Sequence, residues 1–202
     1  MDRLIEGYRR FREEVWPAER TRYEELAKLG QRPETLVVAC SDSRVDPQTV
    51  FGAGPGELFV VRNVAALVPP YEPDTRYHGT SAALEFGVRV LGVSRIVVLA
   101  HAQCGGVQAM VEGTPEQARD FVGHWIKIAE PALRRKPGPA EAVDPFGHYE
   151  TEVVRVSLTN LMTFPWIRDA VAEGRLALHG ARFAIRTGAL EMLRGDRFEP
   201  VA

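Results

Sequence analysis

Cysteine is nearly absent from this chain: there are two among 202 residues, Cys40 and Cys104. So few exclude a disulfide-stapled secreted scaffold, which needs several bridges to offset a small core. Long apolar runs are missing too. The strongest, Leu36–Cys40 and Ile96–Ala100, span five residues each, whereas a membrane-spanning helix needs roughly 20. Neither charge is in excess, since 25 Lys plus Arg face 27 Asp plus Glu for a net charge of −2. That balance removes the usual electrostatic case for nucleic acid or an anionic membrane surface as a partner. The first eleven residues carry Asp2, Arg3, Glu6, Arg9 and Arg10 and lack the apolar centre of a signal peptide, so a cytoplasmic location is the expectation. No repeat or low-complexity tract is visible. What remains is 45% apolar and 26% charged residues, ordinary globular composition and enough chain for one domain with a sizeable core.

The apolar residues fall into short segments. Thr35–Ala39, Leu58–Arg62 and Arg95–Ala100 read as strands buried on both faces. Between the last two, Ala82, Ala83, Phe86, Val90 and Leu91 are spaced for a crossover helix over Thr80–Leu91. Further helices are predicted after Gly105 and Gly106, and from Tyr149 to Met162. Leu176–His179 and Ala181–Ile185, flanking Gly180, predict a closing strand or hairpin. At the front, Ile5, Tyr8, Phe11, Val15 and Trp16 form a helical stripe that Pro17 should interrupt, and a second helix runs from Glu19 to Leu29. Residues 1–30 thus read as an N-terminal helical arm. The Pro- and Gly-rich stretches Gly52–Gly56, Val68–Pro73 and Lys136–Pro145 look like loops rather than linkers, which leaves a single domain over 1–202. Alternating buried strands and helices predict an α/β fold with a mainly parallel sheet. A dinucleotide-binding domain lacks support, because Gly52-Ala53-Gly54-Pro55-Gly56 has neither the phosphate-loop spacing nor a helix start after it.

The chemistry-bearing residues lie at strand ends. Cys40 closes the first strand and opens Cys40-Ser41-Asp42-Ser43-Arg44. His101 closes another, with Cys104 three residues on in His101-Ala102-Gln103-Cys104-Gly105-Gly106. Carboxyl ends of parallel strands share one edge, where ligand sites form. Two thiolates and an imidazole suit zinc and leave its fourth position open. Gly105 and Gly106 permit a tight turn after Cys104, and a helix N-terminus there favours the thiolate. The same cysteines also fit a redox pair or two small buried apolar residues. Asp42 and Arg44 suit a fixed hydrogen-bonded pair beside a ligand, and equally a structural ion pair or turn cap.

Four segments in order, Cys40–Val45, Val61–Ala65, His78–Glu85 and His101–Gly106, resemble the successive signatures of the β-class carbonic anhydrases, most closely the plant-type subgroup. Val156–Leu161 resembles that family's late helix, and the likeness covers the chain from about Gln31 onward. The resemblance implies a four-stranded parallel sheet core with an additional antiparallel strand, flanked by helices and assembled from dimers or dimers of dimers. It implies one zinc per chain on Cys40, His101 and Cys104, and reversible hydration of carbon dioxide to bicarbonate by zinc-bound hydroxide oriented by an Asp42–Arg44 dyad. In a closed state of such sites, Asp42 itself takes the fourth zinc position.

The resemblance further implies a substrate pocket of Gln31, Phe59, Val64 and Phe86, with the Gly105 N–H facing a developing bicarbonate oxygen. The glutamine and aromatic walls would come from the neighbouring subunit. Phe86 stands where plant-type members often have tyrosine, so a hydroxyl is lost. Val37 stands where the other subgroup has a tryptophan that helps hold an inhibitory bicarbonate, so that regulatory site is not expected. Carbonyl sulfide or carbon disulfide are the alternative substrates, and a noncatalytic zinc or redox protein is the alternative class. His78, His124, His148 and His179 can carry protons near neutral pH, and none is singled out.

Overall fold

The three apolar runs become β1 (Thr35–Cys40), β2 (Leu58–Asn63) and β3 (Arg95–His101) in a computed structural model that describes residues 1–74, 76–138 and 144–201. Residues 139–143 of the expected Lys136–Pro145 loop, like residues 75 and 202 of the expected domain, lie outside the described residues. The sheet continues through β4 (Ala177–Ala184), β5 (Ala189–Arg194) and β6 (Arg197–Pro200) in the order β2-β1-β3-β4-β5-β6. β2, β1, β3 and β4 are parallel, while β5 and β6 add antiparallel at the end. The expected four-stranded parallel core is therefore present, with two antiparallel strands rather than one.

Side chains alternate across the sheet, as a period of two requires. Leu36 and Val38 of β1 with Ile96, Val98 and Ala100 of β3 pack against helices. Those helices are α4 (Gly79–Glu85), α7 (Pro145–Leu161) and α8 (Pro165–Ala172), which contribute Leu84, Val154, Leu161, Ile167 and Ala170. Between α4 and α7 come α5 (Gly105–Glu112) and the short α6 (Val122–Trp125). The opposite face carries Val37, Ala39, Leu99 and Ala181, with Val97, Phe183, Ile185, Leu190 and Met192 only partly buried beside them. Among the described residues of that cluster, a helix contributes only Val50, from the five-residue α3 (Pro47–Phe51). One face is clothed by helices; the other is closed over Val37, Ala39, Leu99 and Ala181 and only partly covered around Phe183, Ile185, Leu190 and Met192.

One expectation is corrected. Pro17 does not interrupt the arm: α1 (Asp2–Arg10) runs through π-helical turns at Phe11–Val15 into α2 (Trp16–Leu29), and the wider register of those turns, closed by the Trp16 N–H on the Phe11 carbonyl, accommodates the proline and its missing N–H. Of the closing strand or hairpin expected around Gly180, the strand is what forms. β4 runs straight through that residue, and a Cβ there would lie 2.6 Å from Val154 Cγ1 of α7. The glycine lets α7 approach the sheet. No residue of α1, α2 or the turns between them is buried, and Leu4 and Tyr8 are 72% and 61% exposed. Among the described residues, no helix is long and apolar enough to cross a membrane.

Candidate metal centre

Cys40 ends β1 and His101 ends the adjacent parallel strand β3, so both side chains reach one edge of the sheet. Cys104 precedes α5 as its N-cap. The two Sγ atoms are 3.9 Å apart, both thiols are free, and the three donor atoms lie within 4.8 Å of one another. His101 is 0% exposed. Its Nδ1 is 2.9 Å from the Ala102 carbonyl, which can only accept, so Nδ1 carries the hydrogen and Nε2 keeps a bare lone pair. That Nε2 is fully buried and has no hydrogen-bond partner among the described residues. A buried orphan acceptor converging with two sulfurs is costly unless a cation takes its electrons. The donor set fits zinc with one position left open.

The backbone prepares the sulfurs. The N–H groups of Asp42 and Ala65 point at Cys40, and those of Gly106 and Val107 at Cys104, each favouring thiolate. The hydrogen bond with Cys104 lowers the Cys40 thiol to about 4, against the opposing pull of burial. The same bond, with burial, pushes Cys104 up, because the pair then shares one proton. A divalent cation would replace that proton. Ala65 and Ala66 reach their places with φ of 66° and 54°, in the left-handed region. The Asn63 side chain clamps this turn on Leu67, accepting from its N–H and donating to its carbonyl, both at 2.8 Å. Buried Ser157 on α7 accepts from the Val68 N–H at 3.1 Å and donates to the Ala66 carbonyl at 3.3 Å, which gives the Val156–Leu161 segment its role.

Asp42 and Arg44 form the expected pair. Asp42 Oδ1 accepts from the Arg44 N–H and Nε, each at 2.9 Å, and Oδ2 accepts from Nη2 at 2.7 Å. Those bonds to Arg44 hold the Asp42 carboxyl well below the usual carboxylate range. Its Oδ2 is 3.8 Å from His101 Nε2, beside the cluster. Val64 packs at the same place, in the cluster around Cys40 and Cys104.

The expected glycine turn is corrected. Gln103, with φ of 58°, makes the left-handed turn, while neither Gly105 nor Gly106 has positive φ. A Cβ on Gly106 would come 2.8 Å from Val64 Cγ1 and 3.2 Å from the Ala65 nitrogen, whereas Gly105 faces open space. Close approach, not turning, requires the second glycine. Gly105 begins α5, so its N–H belongs to the open first turn beside Cys104.

Gln31, Phe59 and Phe86 do not join this group within one chain. Phe59 pairs with Leu36 near the start of β1, about 13 Å along the strand from Cys40 at 3.3 Å per residue. Its ring stacks on Phe86 with centroids 5.9 Å apart. Gln31 precedes β1 and lines a cavity with Leu91 and Arg95, at the amino ends of the strands. Another cavity, of about 550 Å3, reaches Cys104 between Gln103, Gln108, Phe146 and Arg182.

Two residues that the sequence reading did not single out complete the site. Arg62 donates to the carbonyls of Cys40 (2.9 Å), Asp42 (2.6 Å) and Val45 (3.0 Å), tying down the loop that carries the ligand and the pair. Glu150 of α7 is 1% exposed and accepts from the Gln103 N–H at 2.6 Å. Its signal was present: it falls on the stripe with Tyr149, Val153, Val154 and Ser157, where an apolar residue would otherwise stand.

Known proteins are similar to this chain in sequence and in fold. The family model described as carbonic anhydrase matches residues 35–190. The chain is 35% identical to beta carbonic anhydrase 3 of Arabidopsis thaliana, over 97% of this chain and 78% of that protein. The solved structure of the beta-carbonic anhydrase CcaA superposes with a TM-score of 0.91 at 31% identity, covering 100% of this chain and 99% of the other. A structure among two tetrameric beta-carbonic anhydrases of the ascomycete Sordaria macrospora gives 0.81 at 27% identity, covering 100% and 98%. With a cysteine–histidine–cysteine group at the carboxyl edge of this sheet and these likenesses along its length, the chain belongs to the β-class carbonic anhydrases, zinc enzymes that hydrate carbon dioxide.

Proposed function

We propose that Cys40, His101 and Cys104 hold one zinc ion and that the Asp42–Arg44 pair directs reversible hydration of carbon dioxide to bicarbonate and a proton at it. The observation that carries this reading is the bare, buried Nε2 of His101, aimed with two sulfurs at a point beside the Asp42 carboxylate. Zinc, when bound, lowers the pKa of water toward 7 and so makes hydroxide available at neutral pH. Two thiolates donate more charge than imidazoles and weaken that effect, so the protein's own acceptor matters more. Asp42 Oδ2 takes one hydrogen bond from Arg44 where Oδ1 takes two, and keeps a lone pair free. It accepts the hydrogen of the attacking oxygen and turns that oxygen's lone pair toward the carbon. Because Arg44 keeps Asp42 ionised, it acts only as an acceptor. The N–H of Gly105 receives charge developing on a substrate oxygen, and Val64 gives the apolar gas a wall.

Gln31, Phe59 and Phe86 serve this site from a second copy of the chain. Two surfaces support that assembly: the thinly covered sheet face around Phe183, Ile185, Leu190 and Met192, and the exposed apolar stripe of α1. A homodimer, or a dimer of dimers, brings the opposite strand ends of two protomers together. Two free cysteines this close suit a reducing compartment such as the cytoplasm.

Stopped-flow measurement of carbon dioxide hydration tests the reading on zinc-loaded protein, on chelator-stripped protein and on the Asp42→Asn variant. Activity should vanish on stripping and return with zinc. The variant should keep its zinc and lose about 100-fold in rate, the upper end for an outer partner of a metal site. Hydration by the stripped protein, or unchanged turnover in the variant, refutes the assignment.

A further inference from the structure

We propose that Glu150 is a positioning residue: it sets the peptide between His101 and Cys104 and, through that peptide, the Asp42–Arg44 pair. The proposal rests on the zinc reading above. Gln103 lies between the two ligands with φ of 58°, a conformation that L side chains avoid. Two bonds hold it there. Its N–H donates to Glu150 Oε1 at 2.6 Å, and its carbonyl accepts from Arg44 Nη2 at 3.1 Å. One residue thus joins α7 to the guanidinium that orients Asp42.

Glu150 is itself aimed. Its Oε2 accepts from Arg182 of β4 twice, from Nε at 2.9 Å and Nη2 at 2.7 Å. The Arg182 Nη1 reaches Glu191 of β5 at 2.9 Å. Two guanidinium donors converge on Oε2 and the Gln103 N–H takes Oε1, so each carboxylate oxygen has its own partner and the arginine anchors the end of the side chain that does not face the turn. An ion pair this deeply buried is weak evidence of stabilisation, since leucine could fill the same space without losing hydration. What leucine cannot supply is an acceptor for an N–H that the left-handed turn leaves outside any helix or strand ladder. Freed from Glu150, the turn relaxes, Cys104 shifts against Cys40 and His101, and Arg44 loses the Gln103 carbonyl.

The test uses zinc-loaded holoenzyme well below its melting temperature, with zinc release to a coloured chelator and kcat/KM as readouts. Glu150→Gln keeps the shape and loses the charge that aims it. Zinc release should accelerate by about 10- to 100-fold and kcat/KM fall by a similar factor. Glu191→Gln removes the other carboxylate on Arg182 without touching Gln103, and should leave both readouts within twofold of the parent. Release from Glu150→Gln within twofold of the parent overturns the proposal. So does an equal acceleration in Glu191→Gln, which would mark general loosening. Should Glu150→Gln not fold, Glu150→Asp keeps the charge opposite Arg182 but is one methylene too short for the Gln103 N–H. Faster release supports the proposal there, and parental release overturns it. A parent that holds zinc yet fails to hydrate carbon dioxide sinks the functional reading alone, because chelator release still reads the role of Glu150. A parent that never holds zinc sinks both.

Discussion

Replacing Arg62 by methionine keeps the aliphatic length of the side chain and removes its three hydrogen bonds to the loop between β1 and α3. The carbonyls concerned belong to Cys40, Asp42 and Val45, at 2.9, 2.6 and 3.0 Å. A hydrogen bond from a charged donor contributes about 1.5–3 kcal/mol when sheltered. These three share one guanidinium, its side chain is 30% exposed, and water can reach part of the loop once it leaves. About 1 kcal/mol each, or roughly 3 kcal/mol together, is therefore the expected loss. The ion pair to Asp46, at 3.6 Å with side chains 30% and 43% exposed, adds nothing measurable. At about 2–4 °C per kcal/mol for a chain of this size, the melting temperature should fall by roughly 6–12 °C. Circular dichroism of zinc-loaded parent and variant at one protein concentration reads it directly, the fixed concentration keeping any assembly term equal. A fall of less than about 2 °C would mean that the carbonyls are as well served by water, and that the loop is held by Asp42 and Arg44 alone.

Cys104→Ala should leave a folded protein with almost no zinc by elemental analysis, and full metal content would contradict the ligand assignment. Gly106→Ala must push a methyl to 2.8 Å from Val64 Cγ1 and 3.2 Å from the Ala65 nitrogen. The backbone there cannot yield, so denaturant titration should show a loss of about 1–3 kcal/mol. Gly105→Ala meets nothing within 4 Å and should lose under half as much; equal losses would refute the close-approach argument. Val37 is 0% exposed and has no polar group with which to hold a second bicarbonate. Inhibition by bicarbonate should be hyperbolic, and a sigmoidal response would overturn the reading.

The parallel core was legible because β1 and most of β3 are buried on both faces, which leaves unbroken runs such as Leu36–Cys40 with polar or ligating residues just beyond; β2, expected to be as deeply buried, is only half-buried. Cys40, His101 and Cys104 were legible for the same reason, each standing where a strand or turn delivers its side chain to the edge. Other features depend on contacts that a single segment does not encode. Gly180 looks like a break until α7 is laid across it, with Val154 and Leu158 against the position of its missing Cβ. β6 is a short terminal strand, exposed but for Phe198, without the alternation that marks a strand. Gln103 takes the left-handed turn expected of the neighbouring glycines, and its N–H finds an acceptor in Glu150, 47 residues away. Arg62 reads as an ordinary strand-end charge until the loop it grips is folded around it.

The distance between the two ends of β1 bears on heredity as well as chemistry. If each centre draws its thiols from one protomer and its Gln31 amide from another, damage at the two ends is not equivalent. A chain lacking Cys104 and a chain lacking Gln31 are each crippled in pure form. Mixed, they complement: in every hybrid pair one centre collects both lesions, while the other, assembled from the sound halves, works as in the wild type.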